Sequence, residues 1–166
     1  MEIIDNFLNE KEFNNLNNLI TGEFPWYVSS VVTCNYKSPI KGYEGTNKRK
    51  QLTHVFLNHK AKSIWLDSLN PLLNKLGVKH LYRAKANLTL GSKEKHIGGW
   101  HFDNEEIEDM KLAIFYFNTN NGFTLLEDGT EIHSVKNRIA TFNNVLHTSI
   151  SQTDTDERIV LNINYK

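Results

Sequence analysis

The chain has 166 residues, 39% hydrophobic and 23% charged, a composition that suits one globular domain (1–166) and excludes a disordered chain. Lys plus Arg and Asp plus Glu number 19 each, so no net charge argues for nucleic acid or an anionic membrane surface as partner. A single cysteine, Cys34, excludes an intrachain disulfide framework and a thiolate metal cluster, and predicts a reducing, cytoplasmic setting. No run approaches the roughly 20 apolar residues of a membrane span, and the start, Met1-Glu2-Ile3-Ile4-Asp5, lacks the basic segment and apolar core of a signal peptide.

In chain order, residues 3–8 read as a short strand. Asn9 with Glu12 caps a helix over 10–20, whose apolar positions Phe13, Leu16, Leu19 and Ile20 fall at helical spacing and which Gly22 stops. Residues 24–35 read as a strand through Trp26, Tyr27, Val28, Val31 and Val32, with Cys34 as a small buried group. Residues 36–50 change character: Pro39, Gly42, Gly45 and Asn47 stand among Lys37, Lys41, Lys48, Arg49 and Lys50, which predicts a loop. A strand over 51–58 precedes an amphipathic helix over 61–76, which buries Ile64, Trp65, Leu69, Leu72, Leu73 and Leu76, is bent or divided by Pro71 and ends at Gly77. From there the period is that of strands. Residues 80–90 set Arg83, Lys85, Asn87 and Thr89 on one face and Ala84, Ala86, Leu88 and Leu90 on the other. Further strands fall at 111–118, 123–126, 131–134, 138–142, 146–150 and 158–165, parted by turn-formers such as Asn120-Asn121-Gly122 and Asp128-Gly129. Many short strands after two helices predict an all-β core with flanking N-terminal helices: a double-stranded β-helix, that is, a cupin-like jelly roll.

The chemistry starts at Gly98-Gly99-Trp100-His101-Phe102-Asp103. In an extended segment His101 and Asp103 share a face, and an imidazole beside a carboxylate is two thirds of the two-histidine, one-carboxylate triad that holds non-haem Fe(II). His147 is available as the third ligand. Arg158, eleven residues later, offers a planar fork for a carboxylate, against the plainer reading of a salt bridge to Glu157 or Asp156. Zinc accepts the same ligands, so a zinc-dependent hydrolase and a non-catalytic cupin-like metal- or ligand-binding protein stand beside a non-haem Fe(II) enzyme as readings of this set.

The order His101-x-Asp103, a long spacer, His147, then Arg158 on an alternating strand, together with Tyr116-Phe117-Asn118 and Arg138-Ile139-Ala140-Thr141-Phe142, resembles the Fe(II)- and 2-oxoglutarate-dependent oxygenases, in particular their prolyl-4-hydroxylase-like branch. The resemblance covers roughly residues 81–165. It implies Fe(II) on His101, Asp103 and His147, and 2-oxoglutarate and dioxygen as co-substrates. Arg158 would clamp the distal carboxylate of 2-oxoglutarate, helped by the Tyr116 hydroxyl and by Asn87 or Thr89. Relatives often carry a tyrosine in that last region and Gly-Gly-Glu after the next turn; this chain has neither, with Asn121-Gly122-Phe123-Thr124 at the second place. The implied activity is hydroxylation of a peptide or small-molecule substrate, most closely a prolyl residue, with release of succinate and carbon dioxide. Asp103 argues against the halogenase variant of this chemistry, in which a small residue replaces the carboxylate. The loop at 36–50 becomes a possible lid, Trp100 a possible flank of the substrate mouth, and the expected state a monomer or weak dimer without nucleic-acid or membrane partners.

Overall fold

The computed structural model describes residues 1–29, 36–45, 50–59, 61–104 and 106–166. Val31, Val32, Cys34, Asn47, Lys48 and Arg49 lie outside the described residues. In chain order the elements are β1 (Glu2–Ile4), α1 (Glu10–Thr21), β2 (Tyr27–Ser29), β3 (Gln51–Asn58), β4 (Ala61–Lys62), α2 (Asn70–Leu76), β5 (Leu81–Leu90), β6 (Lys111–Tyr116), β7 (Phe123–Leu126), β8 (Glu131–His133), β9 (Arg138–Asn143), β10 (His147–Ile150) and β11 (Glu157–Tyr165). They form an eight-stranded sheet, in order β1-β9-β6-β11-β5-β3-β2 with β4 paired to β3, and a three-stranded sheet, β10-β7-β8. The result is a mixed α/β architecture of two sheets with flanking helices. Among the described residues no continuous ladder closes the sheets into a barrel; the remaining pairings are isolated bridges at Tyr36–Trp100, Ile97–Ile150 and His101–His147.

The large sheet has two faces of different chemistry, and β5 shows why. Its alternation puts Ala84, Ala86 and Leu88 against the helices, in one core with Ile159, Leu161 and Ile163 of β11, Phe115 of β6, and Phe13, Leu16 and Ile20 of α1. Each large apolar side chain so buried contributes about 1.5–3 kcal/mol. Residues opposite one another in a ladder share a face, so the pairings Thr89–Arg158, Asn87–Val160, Lys85–Asn162 and Arg83–Asn164 put all eight side chains on the other face, toward the three-stranded sheet. The apolar part of that space is filled by Leu112, Ile114, Tyr116, Leu126, Ile132 and Phe142.

Helix α1 begins as expected, with the Asn9 side chain accepting the Glu12 N–H at 2.9 Å. The single helix expected over 61–76 is not formed. Ala61 and Lys62 instead pair back onto β3, a turn of 3-10 helix covers Leu66–Leu69, and α2 starts beside Pro71. Proline has no N–H to donate and its ring clashes with the carbonyl four residues back, so it opens a helix readily and does not sit inside one. Ile64, expected on the buried side, is 90% exposed as a result. Gly77 ends α2 at φ 71°, with its N–H and that of Val78 turned back onto the carbonyls of Asn74 and Leu73. The first strand is shorter than expected, because Phe7 and Leu8 turn into the core.

That turn is tied down by Asn137, which sits at φ 59° with its side chain closing a two-way bond to the backbone of Leu8. Its Oδ1 accepts the Leu8 N–H at 2.9 Å, and its Nδ2 donates to the Leu8 carbonyl at 2.8 Å. Asn137→Ala is expected to lower stability by about 2–4 kcal/mol, since it leaves two buried backbone groups unpaired and puts a Cβ residue without a compensating bond in the left-handed region. Asn137→Gly is expected to recover only the backbone part, about 1 kcal/mol. Urea unfolding of the three proteins tests this, and equal midpoints for wild type and Asn137→Ala would show that the tether is idle.

Candidate metal centre

His101 and His147 meet because two distant segments form one antiparallel bridge. The N–H of each histidine donates to the carbonyl of the other, at 3.0 and 3.1 Å. Directly opposed residues point the same way, and the two imidazole rings lie 4.5 Å apart. His101 stands at a bridge rather than in the strand expected for it, and the chain bends at Asp103. The backbone here is held in place nonetheless: the Asp103 N–H donates to Asn144 Oδ1 at 3.3 Å, and Asn144 Nδ2 donates to the Asn104 carbonyl. Ligand atoms of His101, Asp103 and His147 all lie within 4.8 Å of one another, and His101 Nε2 is 3.7 Å from Asp103 Oδ1.

The imidazoles are also set in the right tautomer. Nδ1 of His101 is 2.8 Å from the Gly99 carbonyl, and Nδ1 of His147 is 2.8 Å from the Val145 carbonyl. A carbonyl only accepts, so each Nδ1 carries the proton and each Nε2 offers a lone pair. Burial, then the nearby His147, pulls the pKa of His101 below its ordinary value, which keeps the ring neutral as a ligand must be. Two neutral imidazoles and a carboxylate on one side of a space suit a divalent metal with open positions, Fe(II) above all.

Arg158 lies on the same face, deep between the sheets and 3% exposed. Its Nε donates to Ser134 Oγ at 2.8 Å and its Nη2 to Thr124 Oγ1 at 3.4 Å; its guanidinium carbon sits 5.6 Å from the centre of the Tyr116 ring. The salt bridge to Glu157 or Asp156 is not made, and among the described residues no carboxylate pairs with this guanidinium. Burial lowers its pKa. Thr124 is one same-face step along β7 from Leu126, the residue opposite His147, so the guanidinium's anchor and the metal centre are about 7 Å apart along the strand. A five-carbon diacid can bridge that distance.

The other expected residues fall around these two points. The Tyr116 hydroxyl lies 3.0 Å from Thr124 Oγ1 and 3.3 Å from the Ile132 carbonyl, so Tyr116 and Arg158 share the Thr124 hydroxyl. Thr89 stands directly across from Arg158, and Asn87 from Val160. The Oδ1 of Asn87 is buried with no hydrogen-bond partner among the described residues. Trp100, a possible flank of the mouth, is fully buried in the apolar cluster behind the metal ligands and donates its indole N–H to the Tyr43 carbonyl at 2.8 Å. The described part of the loop presses on the same segment, since a Cβ on Gly45 would come within 2.0 Å of the Gly98 carbonyl oxygen.

Sequence reasoning missed Ser134, Thr124 and Asn144, small polar residues whose roles depend on what they face. It also missed that Arg83 reaches the site, with its Nη1 3.5 Å from Asp103 Oδ1. The signal for Arg83 was present: it heads the polar row of β5.

No protein-family model and no curated protein matches the chain at the level of sequence. Solved structures do match its shape. A 2OG-Fe(II) oxygenase-family oxidoreductase from Burkholderia pseudomallei aligns with TM-score 0.67 at 8% identity, over 99% of this chain and 84% of that one. A prolyl hydroxylase from Trichoplax adhaerens, solved with a hypoxia-inducible-factor oxygen degradation domain peptide fragment, aligns with TM-score 0.62 at 12% identity, over 99% and 82%. A Pseudomonas putida prolyl-4-hydroxylase aligns with TM-score 0.58 at 15% identity, over 99% and 91%. The fold is thus that of the 2-oxoglutarate- and Fe(II)-dependent oxygenases, with a His-Asp-His facial triad of the kind that superfamily carries.

Proposed function

We propose that the chain is an Fe(II)- and 2-oxoglutarate-dependent dioxygenase in which His101, Asp103 and His147 hold the metal and Arg158 holds the distal carboxylate of 2-oxoglutarate. The observation that carries this reading is Arg158 itself. A guanidinium 3% exposed, held by two hydroxyls and an aromatic face yet without a carboxylate among the described residues, is a charge set to take its partner from a ligand. Leaving a buried charge unpaired costs several kcal/mol, and an incoming dianion offsets that cost. Iron, when bound, supplies open positions for a 2-oxo acid and dioxygen, and the oxidation that yields succinate, carbon dioxide and a hydroxylated product.

The chain's own residues do the positioning. The Gly99 and Val145 carbonyls keep both Nε2 lone pairs turned to the metal. Ser134 and Thr124 fix the guanidinium so that it meets a carboxylate in one orientation. Tyr116 adds the Thr124-linked hydroxyl and the aromatic surface below the guanidinium, while Asn87 and Thr89 stand on the neighbouring strand for a further polar contact. In this reading the facing sheets are the halves of a double-stranded β-helix, and the whole chain is one catalytic domain. The substrate class favoured by the likeness to the two prolyl hydroxylases is a prolyl residue in a peptide or protein.

The test is a titration of 2-oxoglutarate into the Fe(II) protein under nitrogen. A saturable metal-to-ligand charge-transfer absorbance is expected, followed by succinate release once air is admitted. A protein that binds iron but gives neither signal is a cupin-like metal-binding protein and no oxygenase.

A further inference from the structure

On the cleft faces of β5 and β11 the charged side chains are Arg83, Lys85 and Arg158, all cationic. They fall into two groups. Arg158 lies across from Thr89, whereas Lys85 and Arg83 are four and six residues further along β5, about 13 and 20 Å at strand spacing. The span from Arg158 to the metal ends beside Arg83, so Arg83 and Lys85 belong to the metal end of the cleft, where a substrate would also lie. Arg83 meets Asp103 at 3.5 Å. A divalent cation on Asp103 would draw on that same carboxylate, and one carboxylate does not balance Arg83, Lys85 and a metal together.

Lys85 has no ion-pair or hydrogen-bond partner among the described residues, although burial and the neighbouring Arg83 hold its pKa down to about 8. Across the ladder from Lys85 and Arg83 stand Asn162 and Asn164, and the Oδ1 atoms of both are buried without a hydrogen-bond partner among the described residues. Asn164 is 2% exposed. Native proteins rarely leave such groups unsatisfied, and two adjoining ones beside two cations make a polar lining for a ligand.

We propose that Arg83 and Lys85 form a carboxylate-binding subsite for the substrate, with the asparagine amides beside them taking its N–H groups. The substrate is then amino-acid-like, with a free carboxylate next to the carbon that reacts: a free amino acid or the C-terminal residue of a peptide, and not an internal residue. This rests on the dioxygenase reading for what happens next, but the subsite itself is a matter of binding.

The probes are the twenty common L-amino acids and the matching dipeptides with N-terminal glycine, each as free acid and as C-terminal primary amide. Binding is measured by calorimetry to the Fe(II) protein with 2-oxoglutarate under nitrogen. At least one free acid is expected to bind about thirtyfold or more tightly than its amide, the scale of losing one partner of a buried charge pair. Free amino acids binding alone identify a metabolite substrate; dipeptide acids binding better identify a peptide C-terminus. Lys85→Met is expected to bind the acid as weakly as wild type binds the amide, and Lys85→Arg to restore part of the difference. Acid and amide binding equally to wild type, or no free acid binding at all, overturns the subsite whether or not the variants fold. The two readings fail separately. Acid-selective binding in a protein that gives no charge-transfer band with 2-oxoglutarate leaves the subsite standing and removes the oxygenase, and a non-prolyl acid as the tightest probe removes only the prolyl substrate.

Discussion

Asp103→Ala is expected to weaken Fe(II) binding by more than about 100-fold, beyond the 10- to 100-fold typical when only a residue behind a metal ligand is lost. The reason is charge as much as geometry. Asp103 is the only anion in the triad, and it is faced by Arg83 at 3.5 Å, so its removal leaves two neutral imidazoles in a cationic surround. Asp103→Asn keeps the size and the Asn144 contact to the backbone but not the charge, and is expected to fall close to Asp103→Ala. Asp103→Glu keeps the charge and displaces it by a methylene, and should retain measurable affinity. Competition against a coloured chelator gives the three constants. Wild-type affinity in Asp103→Asn would show that the two histidines alone hold the metal and that the triad is misassigned.

Arg158→Ala is expected to leave Fe(II) binding nearly intact and to weaken 2-oxoglutarate binding by tens to thousands of fold. The range follows from the roughly 2–5 kcal/mol lost when one member of a desolvated charge pair is truncated. Arg158→Lys should recover only part, because an ammonium is a point charge and does not reproduce the fork held by Ser134 and Thr124. Since Arg158 has no carboxylate partner among the described residues, its loss removes a buried charge without an acid beside it, and stability is expected to hold or rise. A simple surface salt bridge predicts the opposite pattern: a stability change of about 0–1 kcal/mol in the destabilising direction and unchanged cosubstrate binding. Charge-transfer titration under nitrogen and urea unfolding distinguish them, and equal 2-oxoglutarate dissociation constants for wild type and Arg158→Ala would take Arg158 out of the site.

The local pattern of the sequence determined which residues share a face. Strands β3 and β7 span 51–58 and 123–126 as the alternation predicts, and the split of β5 into Ala84, Ala86, Leu88 against Arg83, Lys85, Asn87, Thr89 is the split between core and cleft. Side-chain period is a property of a few consecutive backbone dihedrals, so it can be read without knowing the partner strand. Ligand types were legible for a similar reason: imidazole and carboxylate two apart, with a second histidine downstream, limit the metals that fit. The helix expected over 61–76 failed where two local signals competed, apolar spacing against Pro71, and the backbone constraint won. Tertiary structure alone decided the rest. That His101 lies opposite His147 depends on one bridge between segments far apart in the chain. That Arg158 meets Ser134 and Thr124 depends on how β11, β7 and β8 stack across the cleft. Arg83 and Lys85 face Asn162 and Asn164 because β5 and β11 pair in one register; a shift of one residue would turn the whole polar row into the helix-packed core.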